Sequence, residues 1–141
     1  RKRNVIIISF LITNNFPADG CYNYSTLSNA DRRSTYSTPI NGDVFCDNLL
    51  SEGWYRFEGA AGTRMPTTVV PPFKCGTDFS GWLNGAQPTL VDGEVNRKVC
   101  FTGNRDNCKY SNHITVKNCG SFLIYKLIPL TACSLRYCGT D

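Results

Sequence analysis

The sequence predicts a mainly β, small disulfide-rich domain of short antiparallel strands and hairpins, with at most one or two short helical turns. Three observations support this prediction. The chain of 141 residues contains eight cysteines, spread over most of its length. Short apolar or alternating runs are separated by Gly, Pro, Asn and Asp, which favour turns. No stretch keeps the 3.6-residue apolar period of a long amphipathic helix.

The first strand signal along the chain is the segment 54–57, Trp-Tyr-Arg-Phe, which alternates aromatic and charged character. Residues 59–62 are predicted to turn, and residues 63–65 to form a strand that returns beside the first. Residues 94–101 are predicted to be a strand after Asp92-Gly93, a dipeptide favoured in two-residue hairpins.

The clearest hairpin signal lies near the C-terminus. Residues 114–117 alternate β-forming side chains, Cys119-Gly120 provides a turn, and an apolar run follows over 122–127. We interpret these segments as an antiparallel hairpin in the core. Residues 47–51 are predicted to form one helical turn.

The eight cysteines predict secretion and disulfide bonding. The cytosol keeps thiols reduced, whereas small secreted domains use disulfides to supplement a limited core. The alternative is metal binding, for which structural zinc sites bring ligands in close pairs. Here the tightest cysteine pair is Cys133 and Cys138, and His113 is the single histidine. We therefore predict no metal ligands and no cofactor.

The charge pattern does not indicate a nucleic-acid partner. The formal net charge is +4, and Arg1, Lys2 and Arg3 supply three of the positive charges. A nucleic-acid-binding protein usually presents a concentrated basic face. The later adjacent pairs, Arg32-Arg33 and Arg97-Lys98, are interpreted as solvated charges.

Residues 1–19 have the layout of a signal peptide or of a leader that belongs to the gene model. Three basic residues precede an apolar run over 5–12, and polar residues with Pro17 and Ala18 follow. The run is too short for a bilayer, which needs about 20 apolar residues, so we predict no transmembrane span in this chain. The alternative is a buried β-strand. With a leader, the domain covers residues 20–141.

Catalysis finds little support in the sequence. A nucleophile–base hydrolase needs a base with a pKa near neutrality, most often His. His113, beside Ser111 and Asn112, is interpreted as a solvated loop residue. Asp92 and Glu94 fit a turn better than a pair of catalytic carboxylates. We therefore predict no catalytic residues and no enzyme.

One N-glycosylation acceptor pattern is present, Asn23-Tyr24-Ser25. In a secreted chain we expect a glycan at Asn23, which would keep that edge of the domain solvated. The alternative is that Tyr24 packs and Asn23 stays bare.

Several ordered motifs make the chain recognisable. Roughly residues 20–140 resemble the eight-cysteine extracellular domain of uromodulin, the pancreatic zymogen-granule membrane glycoprotein and the liver-specific zona pellucida-type protein. The motifs are Arg33-Ser34-Thr35, Gly53-Trp54-Tyr55-Arg56-Phe57-Glu58-Gly59, Gly62-Thr63-Arg64-Met65-Pro66, Lys74-Cys75-Gly76-Thr77, Trp82-Leu83-Asn84-Gly85, Val95-Asn96-Arg97-Lys98-Val99-Cys100 and Cys133-Ser134-Leu135-Arg136-Tyr137-Cys138.

The resemblance implies a disulfide pairing, which spacing alone leaves open among 105 connectivities. The implied pairs are Cys21–Cys119, Cys46–Cys133, Cys75–Cys138 and Cys100–Cys108.

One departure from the family concerns function. In uromodulin and its pancreatic relative, the segment that matches Asn84-Gly85 continues into a sequon, whose glycan resembles a bait for mannose-binding bacterial adhesins. Here Ala86 follows Gly85, so Asn84 is not an acceptor. The resemblance therefore does not support a decoy role at this position.

Together, these observations predict a secreted or cell-surface interaction and display module, non-catalytic and part of a mosaic extracellular protein. Its expected partner is an extracellular protein or a glycan. The alternative is a stand-alone secreted defence factor, a glycan decoy or a lectin-like protein, that acts on microbial adhesins.

Overall fold

A computed structural model describes residues 19–141. Within these residues seven strands form one sheet in the order β1-β2-β6-β5-β4-β3-β7, which confirms the predicted mainly β class. The predicted leader lies outside the described residues, apart from Asp19. The strands are β1 (Ser25–Leu27), β2 (Gly53–Phe57), β3 (Phe79–Asn84), β4 (Glu94–Gly103), β5 (Asp106–Asn118), β6 (Leu123–Leu127) and β7 (Leu135–Tyr137).

The predicted C-terminal hairpin is the antiparallel pair β5–β6, in which Asn118 lies opposite Leu123. Strand β5 extends further toward its N-terminus than the sequence predicts, and it forms a second, longer hairpin with β4. Two pairs at the edges of the sheet, β1–β2 and β3–β7, are parallel. The segment before β4 is a single 3-10 turn closed by a capping box between Thr89 and Asp92, rather than a two-residue hairpin.

Two local predictions are wrong for the same physical reason. Residues 63–65 do not form a returning strand, because the amides of Thr63 and Arg64 both donate to the carbonyl of Thr140. Residues 47–51 contain a turn at 48–49 but no helix, because Asp47 pairs its backbone with Leu135 and Leu130. In both cases distant segments take the hydrogen bonds that local structure would need. The 3-10 turns in residues 19–141 are Gly20–Tyr22, Ala30–Arg32, Gly59–Ala61 and Leu90–Asp92.

One face of the sheet holds the core. Alternate residues of the strands point to the same side, and the apolar side chains on this side are buried. Phe57 and Tyr125 pack edge to face with ring centroids 5.5 Å apart. The Tyr125 hydroxyl accepts from the Met65 amide at 3.1 Å and donates to Gln87 at 3.0 Å. Burial raises the pKa of Tyr125. The buried residues include Tyr55, Phe57, Leu83, Val99, Val116, Tyr125 and Leu127.

All eight cysteines lie in the described part of the chain, and all are paired. The pairs are those that the family resemblance implies, and three of them join positions far apart in the sequence. The bridges are Cys21–Cys119, Cys46–Cys133, Cys75–Cys138 and Cys100–Cys108.

Candidate functional site

The histidine lies on an exposed strand position and not in a loop. His113 belongs to β5, and its Nδ1 lies 2.9 Å from the amide oxygen of Asn96 on β4. In residues 19–141 no group of three or more His, Cys, Asp and Glu side chains could hold a metal ion. The features described next are surfaces and a modification site.

The sequon lies in a segment fixed by several contacts. Asn23 is exposed and follows the first 3-10 turn. Its backbone amide donates to the carbonyl of Gly20 at 3.2 Å. Asp19 accepts from the Cys21 amide at 3.0 Å and forms an ion pair with Lys117 at 3.0 Å. These two contacts, the amide first, lower the pKa of Asp19. The Cys21–Cys119 bridge fastens the same segment to the end of β5.

The surroundings of Asn23 are aromatic. A shallow cavity of about 270 Å³ is lined by Asn23, Tyr24 and Trp54, among others. Tyr24 packs against Phe122 with ring centroids 5.4 Å apart, and its hydroxyl accepts from Arg56 at 3.0 Å. Tyr24 thus packs while Asn23 remains exposed. The packing of Tyr24 leaves the Asn23 side chain accessible for a glycan.

Asn84 is exposed at the end of β3. Its amide nitrogen lies 3.7 Å from Cys100 Sγ, and its cross-strand neighbour is Lys98. Because Ala86 removes the acceptor pattern, this part of the sheet has no glycan attached at Asn84.

The centre of the sheet is open on the side opposite the core. Cross-strand pairs place Asn84 beside Lys98, Lys98 beside His113, Asn96 beside Thr115, and Thr115 beside Lys126. Of these residues all except the half-buried Thr115 are exposed. We call this surface the open face; its members are Asn84, Asn96, Lys98, His113, Thr115 and Lys126.

Disulfides cover the two ends of that side of the sheet. At one end Trp82, 7% exposed, packs with the Cys100–Cys108 and Cys75–Cys138 bridges. Its indole nitrogen donates to Thr102 at 2.9 Å. At the other end the Cys21–Cys119 bridge lies near Trp54. The indole ring of Trp54 packs so closely on Gly20 that a Cβ on residue 20 would lie 2.6 Å from the ring. The polar centre lies between these covered ends.

Three exposed apolar side chains lie on two neighbouring loops. Two loops lie side by side, since the Thr38 amide donates to Phe73 and the Phe45 amide donates to Gly76. Phe73 is 55% exposed, and its φ of 60° is in the left-handed region that a bulky residue rarely adopts. Exposed apolar clusters commonly mark contact surfaces. We call Val44, Phe45 and Phe73 the apolar loop patch.

The interpretation of Arg32-Arg33 as solvated charges is wrong for Arg32. Arg32 is 4% exposed and pairs with the equally buried Asp47, whereas Arg33 pairs with Asp141 at the surface. Arg136 is also buried and pairs with Asp31 at 2.9 Å. Local sequence held no signal for this, because the partners are distant in the chain.

The comparison with known proteins identifies the domain. A family model described as a uromodulin-like domain matches residues 55–139. The chain belongs to this family. Over 121 residues it is 46% identical to the pancreatic secretory granule membrane major glycoprotein GP2 of Canis lupus familiaris, covering 85% of this chain and 23% of that protein. It is 40% identical over 121 residues to uromodulin of Mus musculus, covering 85% of this chain and 18% of that protein.

The family assignment confirms the resemblance seen in the sequence, and with the four disulfides it places this uromodulin-like domain outside the cell. The chain spans less than a quarter of the length of these curated relatives. In residues 19–141 no helix has the length and apolar character needed to cross a membrane.

Proposed function

We propose that this uromodulin-like domain works as a non-catalytic display and interaction module, and that Asn23 carries the displayed N-glycan. The observation that supports the proposal best is the geometry of the sequon. Asn23 is exposed, and the turn before it is held by the Cys21–Cys119 bridge and by Asp19. A glycan attached there would project from a rigid base.

The position of the sequon in the sheet gives the glycan a second effect. One residue, Tyr24, separates Asn23 from the start of β1, and β1 is an edge strand of the sheet. Edge strands present unpaired backbone groups that can pair with another chain. A bulky hydrophilic glycan at Asn23 would keep this edge solvated.

The interaction part of the proposal rests on the two surfaces described above. The open face is polar and cationic, whereas the apolar loop patch presents Phe45 and Phe73 to solvent. Both lie on a framework fastened by disulfides, so a partner would meet preorganised surfaces, which reduces the entropy cost of binding. We also propose that the domain is part of a larger mosaic protein, which the greater length of its relatives supports.

Substitutions at Asn23 and at Ser25 test whether the sequon carries a glycan. Secretion of the chain from mammalian cells, followed by enzymatic removal of N-glycans, should lower the mass by one glycan. Asn23→Gln and Ser25→Ala should abolish that shift. Ser25→Thr is the matched control, because it keeps the acceptor pattern while changing the same residue. An unchanged mass for the wild-type chain would refute the proposal.

The decoy form of the alternative can be tested with the same material. Since Asn84 is not an acceptor, a decoy for mannose-binding adhesins would have to use Asn23. Binding of a purified mannose-specific adhesin to the secreted chain, lost in Asn23→Gln and kept in Ser25→Thr, would support that role. Absence of binding by the fully glycosylated chain would exclude it.

A further inference from the structure

The fold collects basic side chains that lie apart in the sequence. Lys98 is on β4, His113 on β5 and Lys126 on β6, yet the register brings them into one diagonal row across neighbouring strands. Side chains directly opposite each other in an antiparallel pair have Cβ atoms about 5 Å apart. Lys98 and His113 are such a pair, so two basic groups lie next to each other on an exposed surface.

Two of the carboxylates around this row are engaged by other cations. Asp19 pairs with Lys117, and Glu58 pairs with Arg56. Glu94 is exposed at the first position of β4, on the same side of the sheet, and its directly opposite neighbour is Lys117 and not Lys98 or Lys126. Among residues 19–141, Lys98 and Lys126 form no ion pair within 4.0 Å. Their charges are therefore available to an external anion.

The uncharged members of the open face add donors and acceptors for hydroxyl groups. Asn84, Asn96 and Thr115 lie between or beside the cations. Amide and hydroxyl side chains can both donate and accept hydrogen bonds, as sugar hydroxyls require. Trp54, the cross-strand neighbour of Lys126, adds a half-buried aromatic ring at the end of the row.

The shape of the surface favours an extended ligand. The open face is a stretch of sheet bounded by covered ends and not a cavity, so it suits a chain lying across the strands. Asn84 carries no acceptor pattern, and Asn23 lies at the β1 edge, two strands from Lys126. The open face itself therefore contains no N-glycan acceptor.

We propose that the open face binds an anionic, sulfated polysaccharide through Lys98 and Lys126, with His113, Asn84, Asn96 and Thr115 contacting the sugar. This inference names a partner class for the interaction part of the proposed function and does not depend on a glycan at Asn23. A sulfated polysaccharide supplies the negative charge and the hydroxyl groups that this surface matches, and it occurs in the extracellular compartment where the domain works.

The first experiment changes the charge. Binding of the whole chain to immobilised heparin is measured for the wild type, for Lys98→Gln/Lys126→Gln and for Lys74→Gln/Arg105→Gln, which removes two cations outside the open face. We expect the open-face variant to bind about tenfold more weakly, equivalent to about 1.4 kcal/mol, and the control to change less than about twofold. Equal losses would indicate non-specific attraction and would overturn the proposal.

The second experiment blocks the surface without changing its charge. Ala86→Thr makes Asn84 a glycan acceptor, and Ala86→Val is a control of similar size without the hydroxyl. With a glycan shown at Asn84 by mass, Ala86→Thr should lose heparin binding and Ala86→Val should keep it. Retained binding by the glycosylated variant would overturn the proposal, as would wild-type binding to duplex DNA or to anionic lipid vesicles as tight as to heparin.

Asn23→Gln separates this inference from the proposed glycan display. It should keep heparin binding, because Asn23 lies outside the open face. A chain that lacks a glycan at Asn23 but binds heparin would contradict the display proposal alone, and a glycosylated chain that does not bind heparin would contradict the polysaccharide proposal alone.

Discussion

Arg32 and Asp47 form a bidentate ion pair whose side chains are only 5% and 2% exposed. The two guanidinium nitrogens Nη1 and Nη2 each lie 2.7 Å from a carboxylate oxygen. Asp47 also accepts from the backbone amide of Tyr137 at 2.8 Å, and Arg32 donates to the Tyr137 carbonyl at 3.0 Å. The pair therefore ties the 3-10 turn Ala30–Arg32 and the segment after Cys46 to strand β7.

We expect Arg32→Met to destabilise the domain by about 3–5 kcal/mol, because it leaves the carboxylate of Asp47 buried without its counter-charge. Arg33→Met is the matched control at the next position. Arg33 pairs with Asp141 at the surface, where solvent screens the pair, so its loss should lower the stability far less than the loss of Arg32 does. Urea unfolding with the disulfides intact measures both, and equal losses would show that burial of the pair does not determine its contribution.

The burial of Arg32 and the exposure of Arg33 could not be predicted from the sequence. Arg32 and Arg33 have the same local pattern, and only tertiary structure distinguishes them. The hairpin of β5 and β6 was predictable, because alternation and a turn are properties of a short window. The segment 63–65 was not, because its backbone pairs with Thr140 far along the chain.

The open face could not be predicted from the sequence either. Lys98, His113 and Lys126 are separated by many residues, and their approach depends on the register of three strands. A shift of one residue would move each to the core side. By contrast, Asn23 was found from the sequence because a sequon is a local motif, although its exposure and its place beside β1 needed the structure.

The disulfides should differ in their contribution according to the loop that each one closes. Cys21–Cys119 joins residues 98 apart, whereas Cys100–Cys108 joins residues 8 apart. Chain-entropy arguments give about 4–5 kcal/mol for the long loop and about 2.5 kcal/mol for the short one. Thermal unfolding of the two double Cys→Ala variants tests this order. We also expect full reduction to abolish the fold, so coincident melts with and without reductant would refute the role of the bridges.

The pKa of Asp19 gives a pH-dependent prediction. The Cys21 amide and Lys117 hold this pKa below its ordinary value of 3.8. A carboxylate with a lowered folded-state pKa stabilises the fold above its unfolded-state pKa, and this stabilisation is lost as the pH falls through the folded value. NMR titration should show a low pKa for Asp19 that rises in Lys117→Gln but stays below 3.8, because the amide contact, the larger cause, remains. Asp92 is the control, since its lowered pKa depends on Thr89 first and should not respond to Lys117→Gln.

The last prediction concerns two glycines that share a positive φ but differ in surroundings. Gly62 has a φ of 88° and lies against the carbonyl of Thr140, whereas Gly120 has a φ of 98° and open space where a Cβ would lie. Gly120→Ala should cost about 1–2 kcal/mol through backbone strain alone. Gly62→Ala should cost about 1–3 kcal/mol more, because the new methyl overlaps a backbone segment held by Thr63 and Arg64. Equal free energies of unfolding for the two variants would show that the Thr140 segment moves aside easily, and that the pairing which displaced the predicted strand 63–65 is weak.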